Sequence, residues 1–184
     1  MFVAKCAIAI ALISLLSIYG VEMKCPPEQD SQSLDLEQFQ GNWYMVAGVS
    51  LRRGGQTKCS RVVVVPDSES SFSMKFSSVD VATNSTIRFV IESKTDDDIT
   101  GFLKGLSGNI GPIKHRLIAA DYDSYAAIVG CFNRYNNKNH EEPTFSMILS
   151  RYKTLPLPIL NHLKFKLNQY VGKNDKINDI DQSC

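Results

Sequence analysis

Leu36-Glu37-Gln38-Phe39-Gln40-Gly41-Asn42-Trp43-Tyr44-Met45-Val46-Ala47-Gly48-Val49 holds the one tryptophan of this 184-residue chain. Leu36 and Phe39 are spaced as on one helical turn. Gly41 then breaks the helix, where the backbone must bend sharply and come close to something else. Trp43 opens an extended run. A tryptophan at a strand start is a large apolar plug whose single N–H wants a partner.

Downstream of Trp43, β-type runs recur at about ten-residue spacing, each closed by turn residues. They cover residues 43–50, 59–65, 72–81, 86–93, 99–106, 114–121, 125–133 and 144–151. In the third run Phe72, Met74 and Phe76 alternate with Ser73, Lys75 and Ser77, the pattern of a strand with one apolar face. Ile87, Phe89 and Ile91 share one side of the fourth. Tyr122-Asp123-Ser124 joins the sixth and seventh as a tight hairpin. Eight short-linked strands should pair antiparallel with their neighbours, and closing them into an up-and-down barrel removes exposed edges. The period then changes. Pro156 and Pro158 suit a helix entrance. Leu160, Leu163, Leu167 and Val171 follow at three- and four-residue steps, an amphipathic helix to pack outside the barrel, with Gly172 to end it. The fold expected is all-β, an eight-stranded barrel with one late helix.

Upstream, residues 1–20 read as a secretory signal peptide. Lys5 precedes a 13-residue run, Cys6 to Ile18, that is apolar except for two serines. The run is shorter than the roughly 20 residues of a membrane span. Cleavage is expected near Gly20, leaving a single domain over residues 21–184, secreted and extracellular. Lys5 is the only charged residue removed, so the remaining 19 basic and 19 acidic residues balance. Zero net charge argues against nucleic acid as a partner. Cys25, Cys59, Cys131 and Cys184 remain, an even number that suits two disulfides in an oxidising compartment. Spacing leaves all three pairings open and offers no zinc site. Asn84-Ser85-Thr86 is the one glycosylation sequon, so Asn84 is expected on an exposed turn.

Three motifs in order resemble the lipocalin family. Gly41-Asn42-Trp43-Tyr44 is similar to its first motif. Ala120-Asp121-Tyr122-Asp123-Ser124-Tyr125-Ala126 is similar to the second, with Ala120 where threonine is common. Leu149-Ser150-Arg151 is similar to the third. The cysteine positions resemble those of apolipoprotein D and the insect bilin-binding lipocalins. That resemblance implies Cys25–Cys131 and Cys59–Cys184, each closing a loop of more than 100 residues. Loops of that length are worth about 4–5 kcal/mol in the chain-entropy picture. The resemblance makes Gly41, Trp43, Asp121, Tyr122 and Arg151 structural. Trp43 should plug the closed end, with Arg151 lying across its ring.

An eight-stranded barrel can hold one small ligand. With Trp43 pointing inward, strand parity sends Met45, Ala47 and Val49 inward too. Phe72, Met74 and Phe76, then Ile87, Phe89 and Ile91, supply the faces of strands three and four. Ala126, Ile128 and Gly130 follow because Cys131 must face outward. Phe145, Met147 and Leu149 share the parity of Arg151. This apolar lining suits a carrier of a fatty acid, retinoid, sterol or bilin, with no required cofactor and no metal. Loops at the open end, residues 51–58, 82–85, 107–113 and 134–143, carry Arg52, Arg53, Lys58, Lys114, Arg134 and Lys138. These could favour a ligand carboxylate.

No catalytic residue is expected. His115, His140 and His162 fall into no Ser-His-Asp order, and a lone His115 on a strand reads as structural or surface. The competing function is a lipocalin-folded interaction module, an inhibitor or receptor ligand with little in its cavity. A monomer is expected, with a cell-surface receptor, lipoprotein or membrane surface as further partners to consider. An immunoglobulin-like sandwich fits poorly, because Trp43 does not follow the first of two paired cysteines.

Overall fold

A computed structural model describes residues 25–49, 56–95, 99–104, 110–133, 141–171 and 175–184. Residues 1–20, read as a signal peptide, lie outside them, as do Arg52, Arg53, Arg134 and Lys138. Eight antiparallel strands form the barrel: β1 Gly41–Gly48, β2 Thr57–Ser68, β3 Ser71–Asp80, β4 Thr86–Thr95, β5 Ile99–Lys104, β6 Ile110–Asp121, β7 Tyr125–Asn133 and β8 Glu141–Ser150. Each pairs with the next, β8 pairs with β1, and β1 pairs with β2 to close the wall. A short β9, Asn178–Asp179, adds to β1. One turn of helix, α1 Leu36–Phe39, precedes the barrel, and α2 Leu157–Asn168 packs outside it. Among the described residues no helix is long and apolar enough to cross a membrane.

The sequence periods explain two separate cores. Side chains alternate across each strand, so one set fills the barrel and the other faces α2. Inside lie Phe39, Trp43, Val62, Val64, Phe72, Met74, Phe76, Ile91 and the inward residues of β6 to β8. Outside, Val46, Ala47, Ile118, Ala119, Ala127, Val129 and Ile148 pack against Leu160, Leu163 and Leu167 of α2. Pro156 caps that helix and Pro158 lies in its first turn. The helix ends at Asn168, before the expected Gly172, which is outside the described residues; Val171 still joins the outer core. The Lys164 ammonium pairs with the Asp179 carboxylate at 2.6 Å, fastening α2 to β9.

Ala47 departs from the parity reading. β1 pairs Met45 with Leu149 and then Ala47 with Ile148, so one residue is extra in β1. A bulge of this kind resets which side each later residue faces. Val46 and Ala47 both lie in the outer core, and Ala47 does not line the cavity. Gly48 takes the inward place, where a β-carbon would run into the Met45 methyl and lie 2.7 Å from the Ser146 carbonyl.

Three loop assignments also change. Lys58 lies in β2, Lys114 and residues 110–113 in β6, and residues 141–143 in β8, because these strands start earlier than their apolar patterns suggest. The barrel needs those residues as ladder partners, whatever their polarity.

Candidate functional site

The closed end explains why the glycine-tryptophan stretch is built as it is. Asp35 caps α1 by accepting from the Gln38 amide at 3.1 Å. The Trp43 indole N–H donates to the Phe39 carbonyl at 2.8 Å. Phe39 packs 5.6 Å from Trp43 and 6.2 Å from Phe72, centroid to centroid. Arg151 then lies over the indole, its guanidinium carbon 3.6 Å from the ring centroid. Its Nε donates to the Tyr122 carbonyl at 2.9 Å. Its Nη atoms donate to the carbonyls of Gln38, Gln40 and Asn42 at 2.7, 3.0 and 3.1 Å. Gly41 adopts φ +98°, the left-handed region that favours glycine, and so aims those carbonyls at one cation. Tyr122 accepts from the Asp35 amide at 2.9 Å through its hydroxyl. Beside the hairpin after Asp121, the Ala120 amide donates to the Gln32 side chain at 2.9 Å. Polar groups at this end are consumed in holding it shut.

The opposite half of the barrel is open inside. A cavity of about 80 Å³ is bordered by Met45, Val49, Phe76, Ile87, Phe89, Ile91, Phe145 and Met147, with Thr57, Ser60, Arg61, Ser77 and Ser78 toward its mouth. Phe76 and Phe89 are opposite one another in the β3–β4 ladder and stack at 4.5 Å with planes 9° apart. The room comes from small residues: Gly130 carries no side chain, and a β-carbon there would collide with the Phe145 ring. A second space of about 10 Å³ lies toward the closed end, bordered by Phe39, Phe72, Met74, His115 and Ile128 among others.

The sequence-derived lining therefore divides. Eight of its members border the larger cavity. Phe72, Met74 and Ile128 border the smaller space. Ala126 and Leu149 are buried in the inner core, and Ala47 lies outside the barrel wall. Sequence reasoning missed Thr57 and Ser60, because Cys59 takes φ +56° in a bulge that reorients β2. It also missed the interior position of His115, which is 4% exposed. The alternation of Ile113, His115 and Leu117 carried that signal.

The β1–β2 wall is unusual near the cavity. Ladder pairing ends at Tyr44 and Arg61. Beyond it the Gln182 amide donates to both the Met45 carbonyl, at 2.8 Å, and the Ser60 carbonyl, at 3.1 Å. The Cys59 amide donates to the Asp181 carbonyl at 2.7 Å, and Cys59 is bonded to Cys184. Cys25 is bonded to Cys131. Both pairings are those the resemblance implied. Among the described residues no cluster of three or more His, Cys, Asp or Glu could hold a metal.

Solved structures share this architecture. Lobster apocrustacyanin A1 superposes with a TM-score of 0.61 at 16% identity, over 88% of this chain and 94% of that one. Insecticyanin from the tobacco hornworm Manduca sexta gives 0.60 at 19%, over 86% of each. The fold is that of the lipocalins. The amine-binding protein of Rhodnius prolixus, solved as a tryptamine complex, gives 0.61 at 13%, over 84% of this chain and 85% of that one. No family model and no curated protein sequence matches the chain.

Proposed function

We propose that this lipocalin-fold protein is a secreted carrier that holds one small hydrophobic ligand in the cavity of about 80 Å³. The observation that carries the reading is the apolar chamber around the stacked pair Phe76 and Phe89, beside an end closed by Trp43 and Arg151. Burying apolar ligand surface there is worth about 25 cal/mol per Å² before the cost of immobilisation. The chamber is smaller than the roughly 300–1,000 Å³ of drug-sized sites. Among fatty acids, retinoids, sterols and bilins, it therefore favours a slim chain or single ring over a sterol or tetrapyrrole. Two disulfides support secretion. Asn84 stands exposed in a left-handed turn at φ +53°, where a glycan would project freely.

Native mass spectrometry and an absorption spectrum of the protein from its own host test this reading. A co-purifying lipophile is expected, with displacement of bound N-phenyl-1-naphthylamine by slim lipophiles in vitro. An apo mass together with no binding of slim-chain or single-ring lipophiles by calorimetry would replace the carrier with the interaction-module reading.

A further inference from the structure

Three neighbouring strands bring Ser93, Gly101 and His115 together on the inner wall. Ser93 is the ladder partner of Gly101 across β4–β5. Gly101 is the partner of Ile113 across β5–β6, two residues before His115. The position a β-carbon would take on Gly101 is 2.9 Å from His115 Nε2 and 2.9 Å from Ser93 Oγ. Both side chains are buried, at 4% and 3% exposed, and neither atom has a hydrogen-bond partner. Leaving a buried polar atom unpaired costs about 1–3 kcal/mol. Two such atoms converging on one glycine in an apolar barrel mark a place built for a polar visitor.

The pair lies just behind the cavity wall, not on its lining, and two lining residues connect it to the cavity. Ile91, a lining residue, reaches within 2.7 Å of the same point with its Cγ2. Phe145, another lining residue, meets the His115 ring edge-on at 5.8 Å. On its far side His115 borders the small space of about 10 Å³, which has room for about one water.

We propose that His115 Nε2 and Ser93 Oγ form a polar anchor for one neutral hydroxyl on an otherwise apolar ligand. This rests on the carrier reading above. The hydroxyl donates its proton to Nε2 and accepts one from Ser93, so both atoms are satisfied at once. Burial holds the imidazole neutral at ordinary pH, its pKa pushed down to about 4. A carboxylate would gain no ion pair from it and would have to shed its water. The ligand class is a slim lipophile ending in an alcohol or phenol.

The test compares p-cresol with p-xylene, which differ by a hydroxyl in place of a methyl, by calorimetric titration of the full disulfide-bonded chain. About tenfold tighter binding of p-cresol is expected, the size of one good buried hydrogen bond. Ser93→Ala and His115→Gln should each reduce that preference. The ¹⁵N resonance of His115 Nε2 should move with p-cresol and stay put with p-xylene. Equal affinities in the native protein, as for a pair that holds only a resident water, would overturn the anchor and leave the carrier standing. So would a preference that survives Ser93→Ala with the His115 resonance unmoved. If neither compound binds and no other slim-chain or single-ring lipophile does either, the carrier reading fails and the anchor with it.

Discussion

Arg151 lies over Trp43 with its guanidinium carbon 3.6 Å from the ring centroid, and the same side chain reaches four backbone carbonyls. The cation–π contact alone is worth about 0.5–2 kcal/mol. Arg151→Ala is expected to cost about 2–4 kcal/mol, since it also orphans carbonyls at the closed end. Arg151→Lys should recover little of this, because one compact ammonium with three donors cannot span the four carbonyls that the flat guanidinium reaches while covering the indole. Thermal unfolding checks both, and the Trp43 emission of Arg151→Ala should shift to the red.

Gln182 spans the wall where the β1–β2 ladder has stopped. Gln182→Ala leaves the Met45 and Ser60 carbonyls without that donor and should lower stability by about 1–3 kcal/mol. Gln182→Glu should do no better, because a carboxylate cannot donate to either carbonyl. Urea unfolding with the disulfides intact is the measurement.

Gly130 and Phe145 are ladder partners, and the ring lies where a Gly130 side chain would be. Gly130→Ala should drive the ring into the cavity and cost about 1–3 kcal/mol from overpacking. Binding of N-phenyl-1-naphthylamine should fall at least fivefold. Combining it with Phe145→Leu should restore binding; a double variant as weak as the single one would show the ring is not the obstruction.

His115 gives the fold a dependence on pH. Burial lowers its folded pKa to about 4, against an ordinary value of 6.5. Between those values the unfolded chain binds the extra proton and the folded one does not, so stability falls as the pH drops from about 6.5 to 4. Above that window the effect is absent, and below it the loss is complete. The full loss is about 3 kcal/mol. His115→Phe should flatten this limb of the stability–pH curve.

The barrel was legible because its signals are local and repeated. Phe72, Met74 and Phe76, or Ile87, Phe89 and Ile91, need only alternate for their strands to be recognised. The lining was legible wherever parity ran unbroken, as from Phe145 to Leu149. It failed at Ala47, where one inserted residue turns the strand over. Nothing in Val46-Ala47-Gly48 announces a bulge, since all three are small or apolar and suit either face. The left-handed Cys59 was hidden for a related reason: only its bond to Cys184 and the strand beside it hold a cysteine in that conformation. The polar pair could not be foreseen, because Ser93, Gly101 and His115 become neighbours only through the register of two ladders.

The stitched wall has a consequence for how the protein matures. Ser60 meets the side chain that holds it 122 residues later in the sequence. The chamber therefore stays unfinished through most of synthesis, however early its apolar strands collapse. The Cys59–Cys184 bond fastens the same stretch, so the last stave of the wall is set when that bond forms.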